Sequence, residues 1–162
     1  GAGLLFTEMT HGSREARITP RCTGMYNKEH QHGWKRIVDF VHQQSKAKIA
    51  LQLGHAGPKG STKILWEGQD MALEKGWPIV GPSAVAYKDQ IPHKLSKKEM
   101  LEIQNQFVQA VHLAEECDFD MLEFHCGHGY LFSSFITPLS NRRIDEYGGS
   151  LANRMRYPLV VL

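Results

Sequence analysis

Apolar residues in this chain fall into three short runs and three spaced sets, and the two kinds alternate. The first run, Gly3-Leu-Leu-Phe-Thr-Glu-Met-Thr10, reads as a strand that begins almost at residue 1. His11 to Tyr26 is polar and carries Gly, Pro and Thr, so a loop is expected there. Asn27 can cap a helix whose Trp34, Ile37, Val38 and Val41 recur at helical spacing up to about Ser45. The second run, Lys48-Ile-Ala-Leu-Gln-Leu53, is apolar on both faces except at Gln52, as in a parallel strand covered by helices. Gly54 to Leu95 is long, irregular and rich in Gly, Pro and Lys, and connections of that length are usually functional. Ser96-Lys-Lys-Glu99 is a capping box, and Met100, Ile103, Phe107, Val111 and Ala114 mark one face of a helix ending near Glu116. The third run, Phe119 to His125, is a strand. Leu131, Phe132, Phe135 and Ile136 predict a short packed turn or helix, Pro138 to Gly149 a polar loop, and Ser150 the cap of a last helix, Leu151 to Leu162. Pro158 would cost about 3 kcal/mol inside an ordinary helix, which predicts a kink or an early end.

The order β-α-β-α-β-α places the chain in the α/β class with a parallel sheet. A Rossmann-like open sheet and part of a (β/α)8 TIM barrel both fit. No G-x-G-x-x-G follows any strand, which lowers the Rossmann case. A full barrel takes about 250 residues. With 162 residues and three strands, a barrel reading makes the chain a fragment, and its abrupt ends at Gly1 and Leu162 agree.

Composition narrows the partners. Lys plus Arg is 19 and Asp plus Glu is 17, a formal charge of only +2, which gives no case for nucleic acid or a membrane surface. Cys22, Cys117 and Cys126 form no C-x-x-C pair, so reduced thiols in a cytoplasmic protein are expected. No apolar stretch approaches the roughly 18–20 residues of a membrane span, and the N-terminus lacks the pattern of a signal peptide.

The chemistry concentrates after the third strand, in His125-Cys-Gly-His-Gly-Tyr130. Polar side chains at a strand end are how α/β scaffolds build sites. The pair His125 and His128 has three readings. They can simply finish the strand on backbone hydrogen bonds. They can bind metal with Cys126, although no second Cys or His pair has matching spacing. They can also clamp a carbonyl oxygen through two imidazole N–H donors and stabilise charge that develops there. Tyr130 could then protonate a carbanion. Gln52 is either a satisfied core amide or a partner for a ring with adjacent carbonyl and N–H groups, such as a flavin or pyrimidine. His55 is a loop histidine or part of the same site. In Asn141 to Ser150, Arg142 or Arg143 is expected to pair with Asp145 or Glu146 and fix the loop.

His125-Cys-Gly-His-Gly-Tyr-Leu131, Ser134 to Ser150 with Asn153-Arg154, and Gln52-Leu-Gly-His-Ala-Gly57 together resemble the Old Yellow Enzyme family. The resemblance implies a partial (β/α)8 barrel from roughly strand two to the helix after strand four, all within one FMN-binding domain. It implies an FMN-dependent NADH:flavin oxidoreductase or ene-reductase, with NADH or NADPH as reductant. By it, Gln52 would meet the pyrimidine edge of FMN and Met9 would place its backbone near the flavin. His125 and His128 would bind the substrate carbonyl, and Tyr130 would give a proton to the α-carbon. The substrate would carry an α,β-unsaturated carbonyl. Segment 1–30 and the Trp66 to Trp77 region are similar to the reductase part of flavoenzymes acting on aromatic CoA esters. Two positions depart from the family: Pro58-Lys59 stands where Arg-Lys is usual, and Gly127 where Ala is common. The family's first-strand flavin loop would lie before Gly1 and its phosphate-binding glycines and arginine after Leu162, so the chain alone should hold FMN poorly. A degenerate barrel domain acting as a scaffold, and a metal-dependent barrel hydrolase, are the readings from other classes.

Overall fold

A computed structural model describes residues 1–162. In chain order the elements are β1 (Leu4–Phe6), β2 (Thr10–His11), α1 (Lys28–Gln44), β3 (Lys48–Gly54), a 3-10 turn (Gly57–Lys59), α2 (Leu65–Gly68), β4 (Val80–Gly81), β5 (His93–Lys94), α3 (Lys97–Glu116), β6 (Met121–Phe124), α4 (Leu131–Ile136) and α5 (Leu151–Val161). β3 is the central strand of a parallel sheet, with β1 and β2 on one side and β6 on the other. That position explains its unbroken apolar run: Ile49, Ala50, Leu51 and Leu53 are all buried.

The first predicted strand is two strands. Leu4 to Phe6 pair with Lys48 to Ala50, whereas Thr10 and His11 pair with Leu53 and Gly54. Phe6 to Thr10 is four steps and Ala50 to Leu53 is three, so the first strand carries one extra residue, a bulge. Thr7 fills the break: its N–H donates to Ala50 O at 3.0 Å, and its Oγ1 accepts the Gln52 N–H at 3.0 Å.

The helices begin where their caps predict. Asn27 Oδ1 accepts the His30 N–H at 2.8 Å, Ser96 and Glu99 complete a capping box, and Ser150 accepts from Asn153. α3 buries Met100, Ile103, Phe107, Ala110, Leu113 and Ala114 against the sheet. Phe107 packs between Phe124 and Phe132, with ring centres 5.8 and 5.1 Å away. Each such buried side chain contributes roughly 1.5–3 kcal/mol. α1 behaves differently from its pattern: Val38 is buried, but Ile37 and Phe40 are exposed.

Two other expectations are corrected. α5 does not end at Pro158 but runs to Val161, because Tyr157, Pro158 and Val161 are buried and hold that turn against the core. Gly54 to Leu95 is not wholly irregular, since it contains the 3-10 turn, α2 and the short parallel pair β4–β5. That excursion is pinned by Arg143, whose side chain is 3% exposed. Its Nε and Nη2 grip Asp145, while Nη1 donates to Pro82 O at 3.2 Å and to Leu95 O at 2.6 Å. Of the pairings the loop offered, Arg143–Asp145 is the one formed, and Glu146 goes to Lys97. No helix is long and apolar enough to cross a membrane.

Candidate active site

The two ends of the sheet differ. At the N-terminal end of β6, Asp120 accepts from Lys48, His42 and the Ile49 N–H, a structural pin. The C-terminal end carries the unspent polar groups. Gln52 lies opposite Glu123 and Leu53 opposite Phe124, and the His125 N–H donates to Leu53 O at 2.8 Å. Strand alternation therefore sets Gln52 and Gly54 on one face with Glu123 and His125. Gln52 Nε2 donates to Glu123 Oε2 at 2.9 Å. Met9 completes the row from the bulge. A Cβ on Gly54 would lie 2.5 Å from Met9 Sδ and 3.3 Å from His125 Cβ, so only glycine lets the two side chains approach across β3.

Past β6 the backbone turns tightly, with His128 at φ +56 and Gly129 at φ +74. The turn folds His128 back onto His125, and His125 Nε2 lies 3.0 Å from His128 Nδ1. The Gly127 N–H donates to His125 Nδ1 at 3.1 Å. That bond assigns the tautomers: His125 Nδ1 is the acceptor, Nε2 carries the hydrogen, and it donates to His128 Nδ1. Burial and the charge of His128 hold the His125 pKa below its usual value, which favours the neutral imidazole. An oxygen seated between these two nitrogens would receive hydrogen bonds from both only if His128 also carried a proton on Nδ1. As it stands the pair offers one donor and one acceptor to each other, and it presents two donors to an oxygen only with the His128 hydrogen on Nδ1.

Tyr130 stands edge-on to His125, ring centres 5.1 Å apart, and 6.2 Å from His128. Burial raises its pKa, and Cys22, Asp70 and Tyr87 push the same way, so it stays a protonated donor at neutral pH. Met9, Gln52, His125, His128 and Tyr130 are thus gathered at one end of the sheet. No third His, Cys, Asp or Glu joins the histidine pair as a metal-ligand set.

His55 proves to be a framework residue. It is 4% exposed, its Nδ1 accepts the Gly57 N–H at 2.9 Å, and burial lowers its pKa to about 3. Three neighbours were given no role from the sequence, although Lys59 was named there beside Pro58. Glu123 could have been found, as a carboxylate two residues before His125 shares its face. Lys59 and Tyr87 could not, because the long 54–95 excursion brings them together: the Lys59 ammonium lies 4.6 Å above the Tyr87 ring, beside Gly129. Pro58 is accommodated in the first turn of the 3-10 segment, where its missing N–H costs nothing.

The profile of the NADH:flavin oxidoreductase / NADH oxidase family matches residues 1–162. An NADH:flavin oxidoreductase from Gibberella zeae is 39% identical over 170 residues, covering 100% of this chain and 41% of that protein. An NADPH dehydrogenase from Bacillus subtilis is 38% identical over 157 residues, covering 96% of this chain and 42% of that protein. Among solved structures, morphinone reductase in complex with tetrahydroNAD superposes with a TM-score of 0.85 at 32% identity, covering 99% of this chain and 46% of that one. Old Yellow Enzyme from a Pichia species superposes with a TM-score of 0.86 at 30% identity, covering 98% and 42%. The chain therefore spans less than half the length of each of these relatives. The sheet accordingly corresponds to part of a TIM barrel, and the chain belongs to the NADH:flavin oxidoreductase / NADH oxidase family.

Proposed function

We propose that these residues form the substrate-holding side, and part of the cofactor-holding side, of an FMN-dependent NAD(P)H oxidoreductase that reduces an activated alkene or dearomatised ring beside a carbonyl. The convergence of His125 Nε2 and His128 Nδ1 at 3.0 Å, with Tyr130 beside them, carries this reading. The residues fit a flavin edge. Glu123 takes the Gln52 Nε2 hydrogen and leaves the amide oxygen to accept an N–H, while the Met9 N–H has no partner within the chain. When bound, FMN reduced by NADH or NADPH supplies the hydride. His125 and His128 hold the carbonyl oxygen, polarise the alkene and stabilise the charge that develops on that oxygen. Tyr130 delivers its phenolic proton to the α-carbon, and hydride at the β-carbon completes the addition.

The remaining barrel strands would come from a longer protein. Support for this is the sheet's open edges, the exposed Leu4, Leu5 and Phe6 on β1, and the coverage of the relatives. An aromatic CoA ester is the finer substrate reading. The similarity of the Trp66 to Trp77 region favours it, and a groove of about 940 Å³ there is lined by Arg14, Lys63 and Lys75 beside Glu15, Glu67 and Glu74, with Arg17 stacked 5.0 Å over the Trp77 ring.

The test is Tyr130→Phe in flavin-loaded protein. Flavin reduction by NAD(P)H should persist while enone reduction falls by roughly 10²–10⁴-fold. Unchanged enone turnover would remove Tyr130 from its role. Absence of flavin absorbance near about 450 nm in the purified full-length protein would favour a scaffold instead.

A further inference from the structure

The mouth of the site holds one cation without a carboxylate partner. Lys59 leaves the 3-10 turn and runs along the backbone of the turn between His128 and Tyr130. A Cβ on Gly129 would lie 2.9 Å from Lys59 Cε and 3.2 Å from Nζ, so the missing side chain makes room for the lysine stem. Its ammonium rests 4.6 Å above the Tyr87 ring. Tyr87 is presented by a tight turn in which Tyr87 and Gln90 exchange backbone hydrogen bonds, and the Gln90 amide donates to Gly60 O at 3.4 Å. The acid near Tyr130, Asp70, is already engaged: Lys88 pairs with it at 3.2 Å. Lys59 has no carboxylate within ion-pairing distance. Lys59 is therefore the cation at this mouth that no carboxylate compensates.

We propose that Lys59 is a substrate-positioning residue that selects substrates bearing an anionic group in addition to the clamped carbonyl or phenol oxygen, with Tyr87 as the resting place of its ammonium when no anion is bound. This rests on the proposed clamp at His125 and His128. An aromatic face holds a cation weakly compared with a desolvated anion, so moving the ammonium from Tyr87 to a carboxylate is favourable. A half-buried stem beside a fixed turn limits how much freedom the side chain loses on binding. Lysine suits the task as a point charge on a flexible stem, able to meet anions at more than one angle.

The experiment titrates the flavin-loaded full-length protein with 3- and 4-hydroxybenzoate and with the matching hydroxybenzamides, followed by calorimetry. Each pair shares the phenol for the clamp and differs in one charge. At least one benzoate should bind about five- to tenfold tighter than its benzamide. Lys59→Met should erase that preference and leave the benzamide affinity within about twofold, and Lys59→Arg should restore most of it. Raising the ionic strength from about 0.02 to about 0.5 M should erode the preference in the unmodified chain, a test that needs no variant to fold. Equal affinities within each pair, or a preference that survives Lys59→Met and high salt, would overturn the assignment to Lys59. If neither benzamide nor benzoate binds, or if benzamide binding survives His125→Ala, the clamp itself fails and this inference with it.

Discussion

β3 and β6 end in the same local device and put it to opposite uses. His55-Ala-Gly57 and His125-Cys-Gly127 both place a histidine at the strand end, and both use its Nδ1 to accept the N–H of the glycine two residues on, at 2.9 and 3.1 Å. The tautomer is fixed identically, with the hydrogen on Nε2. What differs is the cover. His55 is packed under the start of α4, where the Leu131 N–H donates to His55 O at 3.0 Å. His125 is half-buried, with its Nε2 turned to His128. The His-x-Gly sequence thus sets the proton, and burial decides whether the ring becomes a pin or keeps its Nε2 hydrogen on the open side, where the proposed function uses it. The two ends also cooperate, because the bond from Leu131 fixes the helix start that presents Tyr130.

The glycines give the sharpest way to break this comparison. Gly57 has φ +58, and a Cβ there would lie 2.8 Å from both Leu131 Cα and Leu131 N, which are backbone atoms that cannot step aside. Gly57→Ala should destabilise the chain by about 3 kcal/mol or more, since left-handed strain and overpacking add. Urea unfolding followed by circular dichroism measures this. A loss below about 1 kcal/mol would show that the two strand ends are not wedged together as described.

The histidines come next. His55→Leu leaves the buried Gly57 N–H without an acceptor and should cost about 2 kcal/mol. His125→Ala exposes its glycine N–H to water and should cost less than about 1 kcal/mol while abolishing phenol binding. Acid separates them further. Burial puts the folded pKa of His55 at about 3 and of His11 at about 4, against 6.5 in an unfolded chain. Below 6.5 the unfolded state therefore binds more protons. The stability tied to these neutral rings is complete above about pH 6.5 and is lost as pH falls toward 4 and then 3. His55→Leu should flatten the fall in unfolding free energy between about pH 6.5 and about pH 4. His125→Ala should leave the slope close to that of the unmodified chain, because its shift is in the same direction but its ring is only half-buried. Parallel slopes for both variants would erase the distinction.

The sequence made much of this readable where chemistry is local. Caps at Asn27, Ser96 and Ser150, the apolar run of β3 and the polar ending of β6 depend on neighbours a few residues away. The Arg143–Asp145 pair was visible as one of several options for the same reason. The illegible parts rest on long-range partners. The bulge after β1 exists because of its register against β3, forty-odd residues on. The different fates of His55 and His125 depend on what packs over each, which a shared His-x-Gly motif cannot announce. Lys59 and Tyr87 meet across a segment with little periodic pattern, so no window of sequence joins them.

The smallest effect should come from the counterpart of the first substitution. Gly127 does not have a left-handed φ, and a Cβ there would meet only the His125 ring, 3.3 Å from Cε1. That contact needs a shift of a few tenths of an ångström, which a half-buried ring can make. The alanine also removes conformational freedom from the unfolded chain, which favours folding by roughly 0.4–1 kcal/mol. Gly127→Ala should therefore change stability by less than about 1 kcal/mol, against several times that at Gly57. Its effect should appear instead at the ligand, because the displaced ring is the one whose Nε2 faces His128. A phenol titration should register an affinity change while the urea midpoint stays put. If the midpoint falls as far as it does for Gly57→Ala, the β6 turn is as tightly packed as the β3 turn, and burial no longer distinguishes the pin from the clamp.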